Sequence, residues 1–563
     1  MTDASSRPAT YEPLAAANFP HTRTFHPASP PVASPLDSYW TAHFASSLTH
    51  RNATGSLPEE ADVLIIGSGL TGTCAAAELV DKLIAEPVRD ETGRTKTTKV
   101  VAVEARTFCS GATGRNGGHL TAYPVGHFDA LVEKYGVNDA IRAVHLENEA
   151  IRWVLETVRS EGWQEDVDLQ AGGGTLILCD SQAQLTSIRA SLSSAAKVGL
   201  DISSSRFVEP EEARRTWGAA CVGGVLVPGN NLYPLKLVTK LFQRALRRSA
   251  AAAETARQTG LAPPVQLELY THTVADSVDK GSLKRDWLVK TSRGNIEASH
   301  VLHATNGYAS SVLPSFASSP TFPGILPTRA QCLSLLPASP SSPSTPLSAW
   351  KNAFSPTSTS PGKGVNTYAF LRGYSAAGEE RGEIIIGGMR EHTEGWEWGV
   401  ENDGEVNVEV GKALRKSLKV TWPGVFDVRR KGSTSRRKPE TEELQVQREW
   451  TGIMGYRAEG IPLVGPVYID SRKQEGQWIA AGYSGHGMPR APPSAHLIAS
   501  LIHHNLVGSS TPFQLPPFFP RHLLATSHGK GDASTTLTEE SEKEKNKEAG
   551  WVLVEKTVGE ISL

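Results

Sequence analysis

Three glycines stand where a short apolar run meets an alanine-rich stretch in "ADVLIIGSGLTGTCAAAEL", residues 61–79. Gly67 permits a tight turn, Gly69 lets the backbone approach a pyrophosphate, and Gly72 lets a helix pack closely against a strand. The helix start would then offer unpaired N–H groups and a positive dipole end to phosphates. The spacing indicates a dinucleotide phosphate site, although an ordinary strand–turn–helix without a ligand can show the same pattern.

An acidic residue follows the next apolar run, in "KVVAVEARTF" (99–108). A carboxylate at the end of this strand accepts hydrogen bonds from a ribose diol and repels a 2′-phosphate. Glu104 therefore favours FAD or NAD over NADP. It follows Gly72 by 32 residues, whereas the usual gap is about 20. We predict that the polar stretch 85–99 is an inserted loop.

The elements that must position these residues can be predicted from the flanking composition. Val63 to Ile66 form a β-branched run typical of a strand buried on both faces. Thr73 to Glu86 has the composition and rough spacing of a helix, and Val100 to Val103 predict a second buried strand. This strand–helix–strand order is the opening of a dinucleotide-binding α/β unit.

The composition of the whole chain limits the possible functions. The 563 residues suffice for two or more domains, and 57 basic against 59 acidic residues give a formal charge of -2. No basic field indicates a nucleic-acid partner. The five cysteines lack zinc spacing, and no apolar run approaches the ~20 residues of a membrane span. We expect no metal site, no membrane span and, without a targeting signal, a cytoplasmic protein.

A second segment rich in small residues, "CSGATGRNGGHL" (109–120), follows Glu104 directly. Here the chain resembles the FAD-dependent oxidoreductases of the D-amino-acid oxidase/glycine oxidase superfamily, and most of all the branch typified by gamma-glutamylputrescine oxidase. The resemblance runs along about residues 60–510. It continues through the segments "GGVLVPGNNLYPLKLV", "WLVKTSRGNIEASHVLHATNGY", "FPGILPTRAQ", "GEIIIGGMRE", "WTGIMGYRAEGIPLVGPV" and "QWIAAGYSGHGMPRAPPSAHLIASLI".

The resemblance implies FAD as the cofactor. Some members of the superfamily link FAD covalently through a cysteine or a histidine. In this chain Gly452 to Arg457 contains no cysteine, and Arg115 stands in the corresponding part of the second segment, so we expect non-covalent FAD. The implied cofactor-binding residues are Gly67, Gly69, Leu70, Thr71, Gly72, Glu104, Ala105, Arg106, Ala112, Thr113, Arg115, Asn116, Gly117, Gly118, Val274, Thr305, Asn306, Gly452, Gly485, His486, Gly487 and Met488.

A glycine turn at 482–487, followed by Pro489, Pro492 and Pro493, precedes a predicted apolar helix from Ala495 to Leu506. A helix start aimed at the flavin pyrimidine would place partial positive charge where reduction places negative charge. The implied catalytic residues over the flavin ring are Tyr368, Arg372, Tyr456 and His486. Further candidates are His119, Met454, Arg457 and Tyr483. An arginine near the ring would bind a substrate carboxylate; a surface salt bridge is the ordinary alternative for Arg372 and Arg457.

The implied reaction is oxidation of the C–N bond of an amine or amino acid. A hydride passes to flavin N5, and the imine then hydrolyses. A lysine that some amine oxidases use for oxygen activation is replaced by apolar residues within 383–387, so O2 and another electron carrier both remain open. Two alternatives have the same fold: an FAD-binding assembly or scaffold protein, and an enzyme that oxidises a hydroxy acid.

The predicted fold class is α/β. A Rossmann-like FAD-binding domain of the glutathione-reductase type is interleaved with an α+β substrate domain that contains a mixed sheet. The predicted segments are 59–124, 208–312 and 448–510 for the FAD-binding domain, 125–207 and 313–447 for the substrate domain, a Pro/Ser-rich N-terminal extension 1–58, and a polar C-terminal tail 511–563. In the extension, Tyr39 and Trp40 could dock on the folded surface.

Overall fold

A computed structural model describes most of the chain between residues 19 and 525. The described ranges are 19–122, 124–282, 284–319, 324–336, 353–356, 368–371, 383–423, 445–525 and 551–552. Their helices are α1 Tyr39–Ala42, α2 Leu70–Ala85, α3 Phe128–Tyr135, α4 Val137–Ser160, α5 Gln182–Lys197, α6 Pro210–Trp217, α7 Pro234–Thr259, α8 Ala309–Val312, α9 Val408–Thr421 and α10 Gly487–Leu506. None of these helices is long and apolar enough to cross a bilayer.

The strands of the described ranges fall into two large sheets and two short strand pairs. They are β1 Glu60–Ile66, β2 Thr98–Val103, β3 His119–Leu120, β4 Thr175–Cys179, β5 Arg206–Val208, β6 Gly223–Val227, β7 Asn230–Asn231, β8 Val265–Tyr270, β9 Ala275–Lys280, β10 Trp287–Thr291, β11 Gly294–His303, β12 Leu326–Leu336, β13 Ala353–Pro356, β14 Tyr368–Leu371, β15 Ile384–Gly387, β16 Gln445–Tyr456, β17 Leu463–Ile469, β18 Arg472–Ala481, β19 Phe513–Gln514 and β20 Trp551–Val552.

The first sheet has the strand order β17-β18-β11-β1-β2-β8, and β10 pairs with both β11 and β9. Strand β1 lies parallel between β11 and β2. Its side chains alternate between two cores: Val63 and Ile65 pack with residues of α2, α7 and α10, whereas Leu64 and Ile66 pack with Trp287 on the other face. Burial on both faces explains why the run is continuously apolar.

The second sheet has the order β16-β12-β15-β14-β13-β4-β6-β5 and mixes parallel with antiparallel pairs. Alternate side chains of β4, β12 and β15 form a core with α9 and Trp422. Because the strands of the two sheets alternate along the chain, the predicted α/β class with two interleaved sheets is confirmed.

Three strands of the second sheet cross the domain boundaries predicted from the sequence. Strand β5 ends at Val208, where the segment 208–312 that was assigned to the FAD-binding domain begins. Strand β6 lies within that segment, yet it pairs antiparallel with β4 in the second sheet. Strand β16 pairs with β12 from Leu326↔Tyr456 to Leu336↔Gln445, although 448–510 was assigned to the FAD-binding domain. The other predicted boundaries remain proposals.

Both predicted extensions contribute to the folded body. Tyr39 and Trp40 are fully buried, as their docking required, and the Trp40 indole N–H donates to the Asn116 carbonyl at 2.6 Å. Phe19 packs edge-on against Trp398. Near the other end, the Ala525 amide donates to the Val464 carbonyl at 2.8 Å. The extension and the tail are therefore ordered at 19–58 and 511–525, and their other residues, apart from 551–552, lie outside the described ranges.

Candidate active site

One cavity of about 880 Å³ runs between the two sheets. One end is lined by the β1–α2 turn and the residues after β2. The rest of the lining comes from residues of β12, β15 and β16, from the start of α10 and from the helix α3. A single continuous chamber therefore joins the predicted dinucleotide turn to the predicted substrate sheet.

The β1–α2 turn has the close packing expected of a phosphate-binding loop. Gly67 has a φ of +109°, a conformation that favours glycine. Gly69 is the N-cap of α2, and the Leu70 amide donates to Thr113 Oγ1 at 3.1 Å. A Cβ on Gly72 would lie 1.9 Å from the Gly67 carbonyl oxygen. Gly72 lies outside the cavity lining, so its role is to let α2 approach β1, and it is not placed to contact a cofactor.

Glu104 lines the cavity and is held by the β1–α2 turn. Its Oε2 accepts hydrogen bonds from the Ser68 amide at 3.0 Å and the Ser68 hydroxyl at 2.7 Å. The Arg106 amide donates to Oε1 at 3.2 Å. Ser68, which sequence reasoning missed, is fully buried and also accepts from the Cys109 amide at 2.8 Å. The glycine turn therefore orients the carboxylate that was predicted to bind ribose.

The second glycine segment forms a short 3-10 helix, Ala112–Arg115, along the same wall. Asn116 Oδ1 accepts from the Gly118 amide at 2.8 Å. A Cβ on Gly118 would meet the Leu232 carbonyl at 2.9 Å and the Trp40 ring at 3.1 Å. Gly118 therefore packs behind the wall and, contrary to its assignment as a cofactor contact, lies outside the lining.

Two observations test whether this end of the cavity fits a dinucleotide. The start of α2 faces the cavity with a glycine as N-cap, so the N-cap has no side chain that could compete with an anion. Thr305 also lines the cavity, and its Oγ1 is buried without a hydrogen-bond partner among the described residues. The phosphates of a dinucleotide would bind at the start of α2, and a polar edge of the cofactor would supply the hydrogen bond that Thr305 Oγ1 lacks. The residues fit the expected group.

Two cavity-lining arginines share one buried carboxylate. Arg106 Nη1 lies 2.9 Å from Asp403 Oδ1, and Arg115 Nε lies 3.4 Å from Asp403 Oδ2. Arg115 also donates to the Ser110 carbonyl at 2.7 Å and to the Thr451 carbonyl at 2.8 Å. Burial lowers the pKa of Arg115 to about 10, with Asp403 acting against the shift, so Arg115 stays charged at neutral pH. Asp403 was not anticipated from the sequence.

The turn before α10 lies between the end of β16 and the start of α2, and α10 itself begins at Gly487, earlier than the sequence predicted. Asn306 Oδ1 accepts from the Gly482 amide at 3.0 Å. A Cβ on Gly485 would lie 2.7 Å from the Tyr456 hydroxyl. Tyr483 is buried, and its hydroxyl lies 2.9 Å from Thr71 Oγ1. These contacts bring Tyr456 and the start of α10 to the same wall.

His486 is oriented by a buried glutamate from a remote helix. Its Nε2 lies 3.0 Å from Glu147 Oε2, and Arg490 Nε donates to Glu147 Oε1 at 2.8 Å. Burial acts to raise the pKa of Glu147, but His486 and Arg490 lower it to about 2. Glu147 is therefore ionised and fixes the imidazole at the cavity wall. It precedes His486 by 339 residues, and no local motif marks it.

Of the two arginines that were proposed to bind substrate, Arg457 is placed differently from that expectation. Arg457 is buried, lies 3.2 Å from Glu459, and is outside the cavity lining. Tyr368 lies in β14 and Arg372 lies outside the described residues, so both stay predictions. Arg390 and Glu391 line the cavity instead. They belong to "GGMRE", a segment already quoted for its resemblance but not for these side chains.

Most of the remaining predicted residues do line the cavity, although no ligand contact follows from that placement. Burial lowers the pKa of His119 to about 4, so this lining imidazole is neutral at pH 7. The predicted residues in the lining are Gly67, Gly69, Leu70, Thr71, Glu104, Ala105, Arg106, Ala112, Thr113, Arg115, Asn116, Gly117, Val274, Thr305, Asn306, Gly452, Tyr456, Gly485, His486, Gly487 and Met488.

The chain is similar to flavoenzymes. A family model described as DAO, FAD dependent oxidoreductase, matches residues 62–501. A curated protein from Rhizobium meliloti (strain 1021), "Probable oxidoreductase OrdL", is 25% identical over 463 residues, which cover 81% of this chain and 85% of that protein.

Solved structures of low identity share the fold. Glycine oxidase from Geobacillus kaustophilus has a TM-score of 0.53 at 16% identity, covering 82% of this chain and 99% of its own. L-proline dehydrogenase from P. horikoshii has a TM-score of 0.54 at 18% identity, covering 79% and 94%. Iminodiacetate oxidase from Chelativorans sp. BNC1 has a TM-score of 0.54 at 16% identity, covering 81% and 98%.

Proposed function

Because the chain belongs to the DAO family of FAD-dependent oxidoreductases, we propose that it oxidises the C–N bond of an amine or amino acid to an imine, which then hydrolyses. The observation that carries the proposal is the cavity that runs from the glycine turn to the second sheet. The glycine oxidase, L-proline dehydrogenase and iminodiacetate oxidase of similar fold support the substrate class, since glycine, proline and iminodiacetate each carry an amine nitrogen. Assignment to the gamma-glutamylputrescine oxidase-like branch stays a prediction.

The residues at the glycine-turn end would hold the cofactor. The start of α2 at Gly69 would bind the pyrophosphate, Glu104 the ribose diol, and Thr305 a polar edge. FAD, when bound, supplies the acceptor for the hydride that leaves the carbon next to nitrogen.

The part of the cavity lined by the second sheet would receive the substrate. The start of α10 at Gly487 also lines the cavity, and its dipole favours negative charge there. His486, fixed by Glu147, and Tyr456 present polar groups to the same space. Some amine oxidases use a lysine for oxygen activation, and the corresponding positions of this chain, Ile384 to Ile386 in β15, are apolar. We therefore propose either O2 or another carrier as the electron acceptor.

Anaerobic mixing of the FAD-loaded protein with a panel of amines, amino acids and hydroxy acids tests the proposal. We expect at least one amine or amino acid to bleach the flavin absorbance, because only compounds with an oxidisable C–N bond would fit the proposed chemistry. Readmission of air, with assay of hydrogen peroxide, then distinguishes O2 from another acceptor. Bleaching by hydroxy acids alone would contradict C–N oxidation and support the hydroxy-acid alternative.

Replacement of Glu104 by alanine should weaken FAD binding about ten- to a hundredfold. A charge-assisted hydrogen bond contributes about 1.5–3 kcal/mol, and each 1.4 kcal/mol is about a factor of ten. Glu104→Gln should cost less, because one acceptor remains for Ser68. The measurement is FAD titration by fluorescence, with circular dichroism as the folding control and Glu91→Ala, on the exposed inserted loop, as the matched variant.

Two outcomes would contradict this account of the cofactor site. If Glu104→Ala holds FAD as tightly as Glu91→Ala does, the carboxylate does not bind the cofactor. If acid-precipitated wild-type protein stays yellow, FAD is linked covalently, against our proposal that it dissociates.

A further inference from the structure

A strained turn carries two charged side chains to the cavity wall just after β15. Gly388 has a φ of +121°, and the buried Met389 has a φ of +63°. A bulky residue in this region costs energy, and such strain tends to persist at functional sites. The chain then forms the short 3-10 helix Arg390–His392, whose Arg390 and Glu391 line the cavity.

The guanidinium of Arg390 is held against aromatic rings. It lies 4.3 Å from the centre of the Trp398 ring and 4.5 Å from that of Tyr456. Its Nη1 also donates to the Trp396 carbonyl at 3.1 Å. Among the residues that the structure describes, no carboxylate forms an ion pair with Arg390. The charge of Arg390 is therefore balanced by ring faces and a carbonyl, and it does not pair with its neighbour Glu391.

Glu391 is a carboxyl group with unused hydrogen-bonding capacity in the chamber. Its Oε1 is buried and has no hydrogen-bond partner within the described part of the chain. Burial raises the pKa of Glu391 to about 7, with a hydrogen bond from its own backbone amide and the charge of Arg390 acting against the shift. A buried carboxylate oxygen without a partner is costly. The site is therefore stabilised either by a proton on Glu391 or by a cation that enters the cavity.

We propose that Glu391 binds the ammonium group of the substrate, so that the enzyme selects amines that enter the cavity as cations. The proposal rests on the proposed function, and it adds that the substrate enters the cavity as a cation. An ammonium N–H donor would satisfy Oε1 and neutralise the carboxylate, whereas an alcohol or a carboxylate of the same shape would supply no compensating charge. Transfer of one ammonium proton to Glu391 breaks an N–H bond, forms an O–H bond and leaves the neutral amine. A hydride can then leave the carbon next to its nitrogen.

Binding of three probes that share a tert-butyl group to the FAD-loaded protein tests the assignment. tert-Butylamine is a cation and has no hydrogen on the carbon next to nitrogen, so it can bind but cannot be oxidised. tert-Butanol and pivalate are its neutral and anionic counterparts. Dissociation constants are measured by calorimetry and by the shift of the flavin absorbance. The variants are Glu391→Gln, which removes the charge, Glu391→Asp, which keeps it, and the control Glu394→Gln.

Glu394 is an exposed residue on the neighbouring 3-10 helix, Glu394–Glu397, and lies outside the cavity lining. Its replacement removes the same charge from the same loop. We expect Glu391→Gln to weaken tert-butylamine binding about ten- to a hundredfold, because loss of a charge-assisted hydrogen bond lowers affinity by about that factor. The affinities for tert-butanol and pivalate should not fall. Glu391→Asp should keep the preference for the amine, and Glu394→Gln should bind all three probes as the wild type does.

Equal affinity of wild type and Glu391→Gln for tert-butylamine would overturn the assignment, as would a wild type that binds tert-butanol as tightly as tert-butylamine. This outcome is distinguishable from failure of the proposed function. If amines bleach the flavin while Glu391→Gln binds tert-butylamine normally, only the assignment of Glu391 fails. If no amine bleaches the flavin while tert-butylamine binding depends on Glu391, the C–N chemistry fails and the ammonium site stands.

Discussion

Alanine at position 72 should destabilise the fold by about 3 kcal/mol or more and abolish FAD binding at micromolar FAD. The new Cβ would lie 1.9 Å from the Gly67 carbonyl oxygen and 3.2 Å from Ile65 Cγ2. Both neighbours belong to β1 or its turn, so the clash is relieved only by moving α2 away from the sheet. Overpacking of a core costs typically about 1–3 kcal/mol, and contact with backbone places this case at the upper end. Urea unfolding followed by circular dichroism measures the loss.

Gly69→Ala is the matched control for this prediction. Gly69 has a φ of -67°, which alanine adopts freely, and a Cβ there meets Thr113 Oγ1 at 3.2 Å and no backbone atom within 4 Å. We expect wild-type stability but weaker FAD binding, because the methyl group crowds the start of α2 where the pyrophosphate would approach. A Gly72→Ala protein with the urea midpoint of Gly69→Ala would contradict the packing role of Gly72.

Replacement of Asp403 by alanine should destabilise the protein by about 3–5 kcal/mol. The carboxylate is fully buried between Arg106 and Arg115. Its removal leaves two buried guanidinium groups without their counter-charge. An uncompensated buried charge strongly destabilises a folded protein. Because Arg115 also supports β16 through the Thr451 carbonyl, FAD affinity should fall with stability. Urea unfolding and FAD titration measure the two effects.

The control for Asp403→Ala is an exposed ion pair in the same protein. Asp166 lies 2.6 Å from Lys240, with side chains 51% and 31% exposed. Asp166→Ala should cost at most about 1 kcal/mol, since solvent screens such a pair. If Asp403→Ala and Asp166→Ala unfold at the same urea concentration, Asp403 does not compensate the two buried arginines.

The glycine-turn end of the cavity could be predicted from the sequence because the residues that form it are close together along the chain. Gly67 to Gly69 form the turn that leads into α2, which contains Gly72, and Glu104 directly follows the adjacent strand β2, so spacing alone places them together. Ser68 was accessible to the same reasoning: it stands between two glycines of the motif, but its hydroxyl bond to Glu104 depends on the fold of the turn.

The partners that come from remote segments could not be predicted in the same way. Asp403 meets Arg106 across 297 residues, and Glu147 meets His486 across 339. Their burial and charge compensation exist only after the two sheets close around the cavity. In the Pro/Ser-rich N-terminal stretch, docking of Tyr39 and Trp40 was predicted, but burial of Phe19 was not.

Strand β16 shows why domain boundaries were harder to predict than elements. It begins beside β12 in the second sheet and ends at Tyr456, beside the α10 turn. Its sequence resembles a segment that returns to the cofactor domain, but it pairs with β12 of the second sheet from Gln445 to Tyr456. A strand of one sheet whose end contacts a turn of the other domain cannot be assigned to one domain by motif alone.

The most direct test of C–N oxidation is a single anaerobic turnover. The FAD-loaded protein is mixed with the amine that bleaches its flavin in the panel, and the carbonyl product and the released nitrogen compound are quantified. We predict one new carbonyl group for each FAD reduced, with release of ammonia or an amine unless the oxidised nitrogen belongs to a ring. Reduction of FAD without conversion of a C–N bond to a carbonyl group would contradict the account.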